Sequence, residues 1–287
     1  MPTNSGEEEK LTSEELEQKH FQQVINAFLT YQKYSLGQVK RKVTCLNNLP
    51  QHHKEMIPTQ FERMKEWREA IYQNQEFLTK IVAYTSGMFV NSDVTGSDDD
   101  NSPVTSDDID RVRTTLKQCV RDWSAEGAEE RNNTYKLILD ELISLFPNQI
   151  ERTECQVLVP GAGLGRLMHE IAKRGFACQG NEFSLYMLFA SNYILNMCPG
   201  VFTDVIHPWL HQTSNVILNK DQVRTVKIPD IDPQDLDSSC NFSMAAGDFL
   251  EVYTEPNTWD AVVMCFFLDT AHNVICLLYT SPSPRDS

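Results

Sequence analysis

The sequence predicts an α/β protein in which an open, doubly wound sheet follows an N-terminal helical region. Two observations support this prediction. Apolar residues recur at helical spacing through much of residues 19–90. After Ile150 the chain changes to short apolar runs that are followed by glycine and acidic residues. The order strand, glycine turn, helix, strand, acid, from Gln156 to Glu182, is typical of the opening of a doubly wound sheet.

Composition argues against several classes of protein. The chain has 287 residues, and 25 basic against 40 acidic side chains give a net charge of −15. This balance argues against a nucleic-acid binder that neutralises phosphates over a broad surface. The longest apolar run, Ala261–Leu268, is far shorter than the roughly 20 residues of a membrane span. The eight cysteines form no C-x-x-C pair and no secretory signal is readable, so we expect a reduced cytoplasmic protein, with the nucleus as a second location.

The N-terminal part is predicted to be helical after a short tail. Residues 1–18 are acidic and are expected to be poorly ordered. Residues 19–90 are expected to form a helical bundle, because apolar side chains within them can share one face of each helix. The helices of this bundle are expected at about 19–34, 36–46 and 61–89.

An acidic loop is expected over residues 91–110, which contain Asp98–Asp100 and little to bury. A cation site in this loop is disfavoured, because its oxygen spacing does not match an EF-hand loop. Thr105 and Asp108 resemble a capping box, so a helix should begin here. The two helices that follow should cover about 105–123 and 128–146.

Residues 111–275 are predicted to hold the ligand-binding part, with four buried strands. Each strand is a short apolar run that ends in glycine or polar residues, and ligands in such sheets bind beyond these carboxyl ends. Residues 200–240 are expected to be an insertion of loop and short helix. The strands are expected at 156–159, 177–180, 242–246 and 260–267, with helices at 164–174 and 185–197.

The glycine turn after the first strand predicts a nucleoside site. Gly161, Gly163 and Gly165 allow the main chain to approach a ligand without an intervening Cβ. Glu182 lies nineteen residues after Gly163, at the end of the next strand, where a carboxylate can accept hydrogen bonds from ribose hydroxyls. The alternative is a tight structural turn next to a surface glutamate.

The spacing of the glycines favours an adenosine-bearing ligand without a diphosphate. Dinucleotide sites prefer G-x-G-x-x-G, whereas this turn reads Gly-Ala-Gly-Leu-Gly, so a dehydrogenase is disfavoured. Asp248, after the third strand, can accept a hydrogen bond from an adenine amino group, and Phe249 can pack against the adenine face. An N-cap role is the alternative for Asp248.

Polar residues after the fourth strand are candidates for substrate binding. Asp269, His272 and Asn273 could bind or polarise a polar substrate, and Asp269 or His272 could move a proton. The alternative is a helix cap formed by Asp269 or Thr270.

Five other polar residues are weaker candidates. His207 and His211 have a spacing that could bind zinc, but no third ligand is visible nearby, so packing is favoured and no metal is predicted. Arg166 could face the carboxylate of a ligand or a surface acid. Gln118 and Arg121 are three residues apart and share a helix face. This spacing by itself predicts only two surface residues.

Several longer motifs resemble the carnosine N-methyltransferase family, which uses S-adenosyl-L-methionine and has the Rossmann-like class I methyltransferase fold. The likeness runs from about His20 to Ile275. The motifs are Leu116-Lys117-Gln118-Cys119-Val120-Arg121-Asp122-Trp123-Ser124, Val157-Leu158-Val159-Pro160-Gly161-Ala162-Gly163-Leu164-Gly165-Arg166-Leu167, Cys178-Gln179-Gly180-Asn181-Glu182, Gly247-Asp248-Phe249, Asn257-Thr258-Trp259-Asp260 and Cys265-Phe266-Phe267-Leu268-Asp269-Thr270-Ala271-His272-Asn273.

The resemblance implies roles for these residues. It implies transfer of a methyl group from S-adenosyl-L-methionine to the imidazole of carnosine, giving anserine. No nucleic-acid or membrane partner is expected. The oligomeric state is not predicted, and a homodimer is one alternative. The implied cofactor residues are Gln118, Arg121, Gly161, Gly163, Glu182, Asp248, Phe249 and Cys265, and the implied substrate residues are Asp269, Thr270, Ala271, His272 and Asn273, of which Asp269 and His272 would be catalytic.

We expect the sequence to depart from the family after Ile275. Residues 276–287 are rich in serine and proline and are expected neither to continue the family pattern nor to complete a sheet, so we expect a C-terminally truncated methyltransferase sheet. Two alternatives remain: a methyltransferase for histidine in another peptide or protein, and a truncated chain that binds a partner without catalysis.

Overall fold

The structure, a computed structural model, describes residues 12–85, 103–237 and 240–280. Helices and strands follow one another in the order of an α/β fold behind a helical N-terminal part. The helices are α1 (Ser13–Asn47), α2 (Gln51–Met56), α3 (Thr59–Ala83), α4 (Ser106–Trp123), α5 (Ala128–Leu145), α6 (Arg166–Ala172), α7 (Leu185–Asn192), α8 (Asn219–Gln222), α9 (Phe249–Val252) and α10 (Val274–Thr280). The strands are β1 (Gln156–Pro160), β2 (Ala177–Glu182), β3 (Asp204–Ile206), β4 (Val226–Ile228), β5 (Phe242–Ala246) and β6 (Ala261–Val262).

The main sheet has four parallel strands in the order β5-β2-β1-β6. Val157 pairs with Cys178 on one side and with Ala261 on the other, so β1 lies inside the sheet. The strand order reverses at β1, because the chain moves outward to β2 and β5 and then returns to the other side of β1 with β6. This is the Rossmann-like arrangement, and the α/β fold class is confirmed.

Helix α1 corrects two predictions. It begins at Ser13 because Thr12 forms a capping box with Glu15, so residues 13–18 are helical and not part of a poorly ordered tail. It continues without a break to Asn47, where two helices were expected. Gly37 lies inside it, and a glycine there costs only about 1 kcal/mol relative to alanine. Burial of apolar side chains on both sides of Gly37 outweighs that cost.

The capping box before α4 is confirmed. The Thr105 hydroxyl accepts from the Asp108 amide, and the Asp108 carboxylate accepts from the Thr105 amide at 2.9 Å. The predicted acidic loop is therefore wrong for residues 106–110, which form the first turns of the helix. The run Asp98–Asp100 and the end of the predicted 61–89 helix lie outside the described residues.

The region predicted as loop and short helix contains an antiparallel pair of strands, β3 and β4. Each strand has three residues, too few to produce a readable alternation of apolar and polar side chains. The pair is fastened to α3 by Asn74, whose side chain accepts from the His207 amide at 2.7 Å and donates to the His207 carbonyl at 3.1 Å.

The last strand of the main sheet is shorter than predicted. Residues 260–267 were expected to form a strand, but β6 covers only two of them. Asp260 accepts a hydrogen bond from the Gln156 amide at 2.8 Å, which holds the start of β6 against β1. The chain then leaves the sheet and turns at Phe266, whose φ is 55°. This departure brings residues 265–273 over the ends of the strands.

The helices α1, α3, α4 and α7 share one apolar core with the β3/β4 pair. A second core joins α5 and α6 to β1 and β2, and a third packs Leu158 against Phe249, Tyr253 and Trp259. Among the described residues, no helix combines the length and the apolar character that crossing a membrane requires. The first core packs α4 against α1, α7 and β4, which determines where the C-terminal end of α4 lies.

Candidate functional site

A cavity of about 740 Å³ lies where the carboxyl ends of the parallel strands meet. Segments that follow β1, β2, β5 and β6 line it, together with the last turns of α4. Its volume is in the range of small-molecule and cofactor sites. Of the residues predicted for a site, it brings together Gln118, Arg121, Gly161, Gly163, Glu182, Asp248, Phe249, Cys265, Thr270, Ala271, His272 and Asn273.

The two glycines that line this cavity differ in the space that a side chain would have. Both have left-handed backbone conformations, with φ of 64° at Gly161 and 57° at Gly163. A Cβ on Gly161 would lie 2.4 Å from the ring of Phe267, so protein packing fills that space. A Cβ on Gly163 would meet only Asp122, at 3.9 Å. The close approach to a ligand that the sequence predicts is therefore available at Gly163.

Glu182 connects the glycine turn to the end of β2. Its Oε2 accepts from the Gly163 amide at 2.8 Å, and its Oε1 accepts from the amides of Phe183 and Ser184 at 2.9 and 2.8 Å. A carboxylate offers about four acceptor positions, and three are used. The remaining capacity is on Oε2, which limits the predicted ribose contact to about one additional hydrogen bond.

Asp248 is held beside Glu182 by main-chain bonds between β2 and the end of β5. The Gly247 amide donates to the Glu182 carbonyl at 3.1 Å, and the Asn181 side chain donates to the Gly247 carbonyl at 3.1 Å. Asp248 also caps α9, because its Oδ1 accepts from the Leu250 amide at 2.8 Å. The N-cap alternative is therefore present in the structure, and it uses only one of the two carboxylate oxygens.

Arg121 and Asp122 form a pair at the end of α4. The Arg121 guanidinium donates from Nε to Asp122 Oδ1 at 2.9 Å and lies 4.9 Å from the centre of the Phe266 ring. Tyr135 donates to the same carboxylate at 2.8 Å. Burial, reinforced by the charge of Asp122, raises the pKa of Tyr135, so its hydroxyl remains a donor. Arg121 Nη1 has no hydrogen-bond partner within the described ranges.

Phe249 and Cys265 contribute apolar surface to the cavity. Phe249 is 5% exposed and contacts the ring of Phe267 edge to face at 5.7 Å between centroids. Cys265 is half-buried, and burial raises the pKa of its thiol. A neutral thiol in this position packs against a ligand and is a poor nucleophile.

Asp269, which the resemblance assigns to the substrate site, does not line the cavity. It lies exposed in a single 3₁₀ turn (Leu268–Thr270), while the next four residues border the cavity. Thr270, His272 and Asn273 are exposed at its rim. The Asn273 side chain accepts from the Ile275 amide at 3.0 Å at the start of α10. The helix cap that the sequence suggests is thus supplied by Asn273, and not by Asp269 or Thr270.

Arg166 does not line the cavity, and one of its partners is the half-buried acid Glu170, to which its Nε donates at 3.0 Å. Arg166 is 5% exposed and donates to Asp230 Oδ1 at 2.6 Å and to the carbonyl of Asp122 at 2.8 Å. Arg131 donates to the other oxygen of Asp230 and to the Ser124 carbonyl at 2.9 Å. The two arginines and Asp230 therefore bind the main chain at the end of α4 on which Arg121 and Asp122 are carried.

The two histidines considered for zinc have other partners at all four ring nitrogens. His207 contacts the Val223 carbonyl at 2.8 Å and the Gln73 side chain. His211 contacts the Tyr31 hydroxyl at 3.0 Å and the Arg113 guanidinium at 3.3 Å. Within the described ranges, no three His, Cys, Asp or Glu side chains group as they would around a metal ion. Packing explains both histidines.

Comparison with known proteins shows the family of the chain. A sequence profile described as carnosine N-methyltransferase matches residues 98–282. The chain belongs to the carnosine N-methyltransferase family. It is 45% identical over 265 residues to the carnosine N-methyltransferase of Rattus norvegicus, which covers 91% of this chain and 66% of the rat protein. It is also 40% identical over 280 residues to the carnosine N-methyltransferase of Schizosaccharomyces pombe, covering 93% of this chain and 74% of the yeast protein.

The match to the family covers part of these relatives' length. The chain spans 66% of the rat and mouse carnosine N-methyltransferases and 63% of the protein named carnosine N-methyltransferase unmet of Drosophila melanogaster. The 39% identity to the Drosophila protein extends over 290 aligned residues and 93% of this chain. The family relationship therefore includes the helical N-terminal part as well as the sheet.

Sequence reasoning missed several residues that line the cavity of this family member. Asp122 and Asn181 lie inside recognised motifs, but single polar residues within a helix or strand carry no distinctive spacing. Phe183 and Ser184 follow Glu182 directly, and their amides could have been inferred as its donors. Met187, on α7, could not have been found, because its contact depends on how α7 packs on the sheet.

Proposed function

We propose that the protein transfers a methyl group from S-adenosyl-L-methionine to the imidazole of carnosine, forming anserine. The relatives that carry this activity in their names support the proposal. The observation that carries it is the cavity that joins Gly163, Glu182 and Asp248 to the segment around His272. This arrangement supports the proposal, because a two-substrate transfer requires a cofactor site directly beside a site for the acceptor.

The residues present suit S-adenosyl-L-methionine. The space beside Gly163 is open, two carboxylates lie at adjacent strand ends, and the Gly163 amide is already bonded to Glu182. Glu182 would accept from a ribose hydroxyl through Oε2, and Asp248 would accept from the adenine amino group. When bound, the cofactor supplies a methyl group attached to a sulfonium. The sulfur leaves as a neutral thioether, so no acid has to protonate the leaving group. The protein's contribution is then mainly to orient the two reactants.

The other cofactor residues would bind at the α4 end of the cavity. Arg121 keeps Nη1 for a ligand after its bonds to Asp122, and a guanidinium matches a carboxylate such as that of an amino acid. Gln118 lines the same end and can donate or accept through its amide. Phe249 and Cys265 would pack against the ligand. Together these residues hold the ligand at both ends, which restricts its rotation.

The substrate imidazole would lie against Thr270, Ala271, His272 and Asn273. The ring nitrogen without a proton attacks the methyl group, and the other ring nitrogen then loses its proton. The side chain of His272 would accept that proton. Asp269 is exposed outside the cavity, so we propose no catalytic role for it. We further propose a cytoplasmic location, with the nucleus as a second one.

One alternative is a methyltransferase for histidine in a longer peptide or protein. The observation in its favour is the exposure of Thr270, His272 and Asn273 at the rim, which leaves space beyond a dipeptide in the described part of the chain. Competition between carnosine and a histidine peptide tests whether both are methylated at the same site. Carnosine should inhibit methylation of a histidine peptide with an inhibition constant equal to its own Michaelis constant if both share the site.

The test combines binding and turnover. Titration calorimetry with S-adenosyl-L-methionine should show one site per chain, and incubation with carnosine should yield a product methylated on the ring. His272→Asn should lower turnover more than binding of the cofactor. His53→Asn, on the exposed surface of α2, is the matched control. A folded chain that gives no heat with the cofactor would establish the non-catalytic alternative.

A further inference from the structure

A second cavity of about 550 Å³ shares no residue with the first. It lies among α1, α3 and the segment around α8, on the helical part of the protein. Neither the family profile, which begins at residue 98, nor the proposed reaction assigns a role to this part of α1 and α3. The cavity is therefore a candidate for a separate function.

The second cavity is basic in an acidic protein. Arg41, Lys42 and Arg63 line it, and no aspartate or glutamate does. None of the three forms an ion pair with a described carboxylate, although the whole chain has a net charge of −15. Partial burial of the Lys42 ammonium, together with the charge of Arg63, lowers the pKa of Lys42. The cations therefore repel one another without a compensating negative group.

Trp67 lies at the centre of this cluster. The Lys42 ammonium is 4.0 Å from the centre of the Trp67 ring, and the Arg63 guanidinium carbon is 5.6 Å from it. Trp67 is only 3% exposed, and neither its Nε1 nor Arg63 Nε has a hydrogen-bond partner among the described residues. Arg63 is oriented by Gln222, whose side-chain oxygen accepts from Nη2. Two buried donors are thus left unsatisfied next to unpaired cations.

We propose that this cavity binds a small organic anion that carries phosphate or carboxylate groups. Cations held together without a counter-charge are costly, and an anion would neutralise Lys42 and Arg63. It would accept from the Nε donors of Arg63 and Trp67 once these side chains shift, because both nitrogens are shielded from solvent. Leu46, Leu49 and Met64 form an apolar wall, so the ligand has an apolar part as well as its charge. The volume is that of a metabolite-sized ligand, larger than a single inorganic anion needs.

The test is calorimetric titration of the full chain with phenyl phosphate and, separately, with benzoate, which combine an apolar ring with a phosphate or a carboxylate. The ionic strength is held constant with chloride, so that general screening of charge is the same in every titration. The two arms distinguish a phosphate ligand from a carboxylate ligand. We expect at least one of them to bind with a stoichiometry near one and to raise the melting temperature of the protein.

Substitutions decide whether that binding occurs at the second cavity. Arg63→Gln and Lys42→Gln should each weaken it about tenfold, as expected for the loss of one charge-assisted hydrogen bond. Lys40→Gln is the matched control, because Lys40 is exposed on the same helix, outside the cavity, and the change in net charge is identical. Binding of neither anion, or equal weakening by Lys40→Gln, overturns the proposal. Since Lys42 is exposed, its variant should fold even if the Arg63 variant does not.

Discussion

Oε2 of Glu182 accepts a 2.8 Å hydrogen bond from the amide of Gly163, which ties the glycine turn after β1 to the end of β2. The other oxygen of Glu182 accepts from two amides at the start of the next segment. The carboxylate thus organises the main chain around the cavity before it contacts any ligand. This double role determines the effect of changing it.

Glu182→Gln should weaken binding of S-adenosyl-L-methionine about ten- to a hundredfold, because a hydrogen bond to a charged group contributes about 1.5–3 kcal/mol. A glutamine has one acceptor oxygen, so it cannot serve three amides and a ribose hydroxyl together. Calorimetry measures the effect. Glu154→Gln, at an exposed position before β1, is the control, and equal affinities of the two variants would contradict the assigned contact.

The two glycines that line the cavity should respond differently to alanine. Gly163→Ala should fold, at a cost of about 1–2 kcal/mol for the left-handed conformation, and should lose cofactor affinity because the new methyl group enters the cavity. Gly161→Ala should be destabilised more, since Phe267 must move. Urea unfolding of both variants measures the difference. A Gly163→Ala protein with unchanged affinity would show that no ligand approaches this residue.

The bridge of Arg131, Asp230 and Arg166 predicts a large effect on stability. Asp230→Asn leaves two largely buried arginines without their shared partner, and loss of one member of a buried pair costs about 3 kcal/mol. Urea denaturation measures this cost. Asp235→Asn is the control, because Asp235 pairs with Lys173 on the surface and its loss should change little. Similar unfolding midpoints for the two variants would show that the bridge is not a stabilising element.

His211 predicts a specific loss of stability in acid. Burial, with the nearby Arg113, lowers the pKa of His211 from 6.5 to about 3. The neutral ring is also what the contacts require, since Arg113 can only donate to Nδ1. Above pH 6.5 neither state binds the proton, and the stability is fully present. As the pH falls below 6.5 only the unfolded state gains a proton, so the free energy of unfolding decreases towards pH 3.

His211→Gln should remove that part of the pH dependence, which is at most about 1.4 kcal/mol per pH unit for one group. Urea unfolding at pH 7.5 and at pH 5 measures it in the variant and in the unchanged protein. His53→Gln, on the exposed surface of α2, should leave the pH dependence as it was. If the free energy of unfolding changed equally between pH 7.5 and pH 5 in His211→Gln and in the unchanged protein, a neutral, buried His211 would be contradicted.

Elements with local signals could be predicted from the sequence. The capping box of Thr105 and Asp108, the five-residue strands β1 and β5, and the glycine turn all depend on residues a few positions apart. These local signals allowed the ends of the strands to be predicted, and the candidate residues from Gly161 to Asp248 follow those ends directly. Asp269 was misplaced because its position depends on where β6 ends.

Features that depend on distant contacts could not be predicted. The bridge joins Arg131 to Asp230 across 99 residues of sequence, and Asn74 joins α3 to the β3/β4 pair across 133. Neither pairing has a local pattern. The continuity of α1 through Gly37 likewise follows from burial against α3, and a single glycine in the sequence suggests the opposite.

Hydrogen exchange with and without S-adenosyl-L-methionine tests most directly whether the cavity is a cofactor site. The segments to follow are 118–122, 161–165, 182–184 and 248–250, which are distant in sequence and meet only at this cavity. The account predicts that the cofactor slows amide exchange in all four segments together, and that Glu182→Gln reduces the effect. Protection confined to one segment, or none in a folded chain, would contradict it.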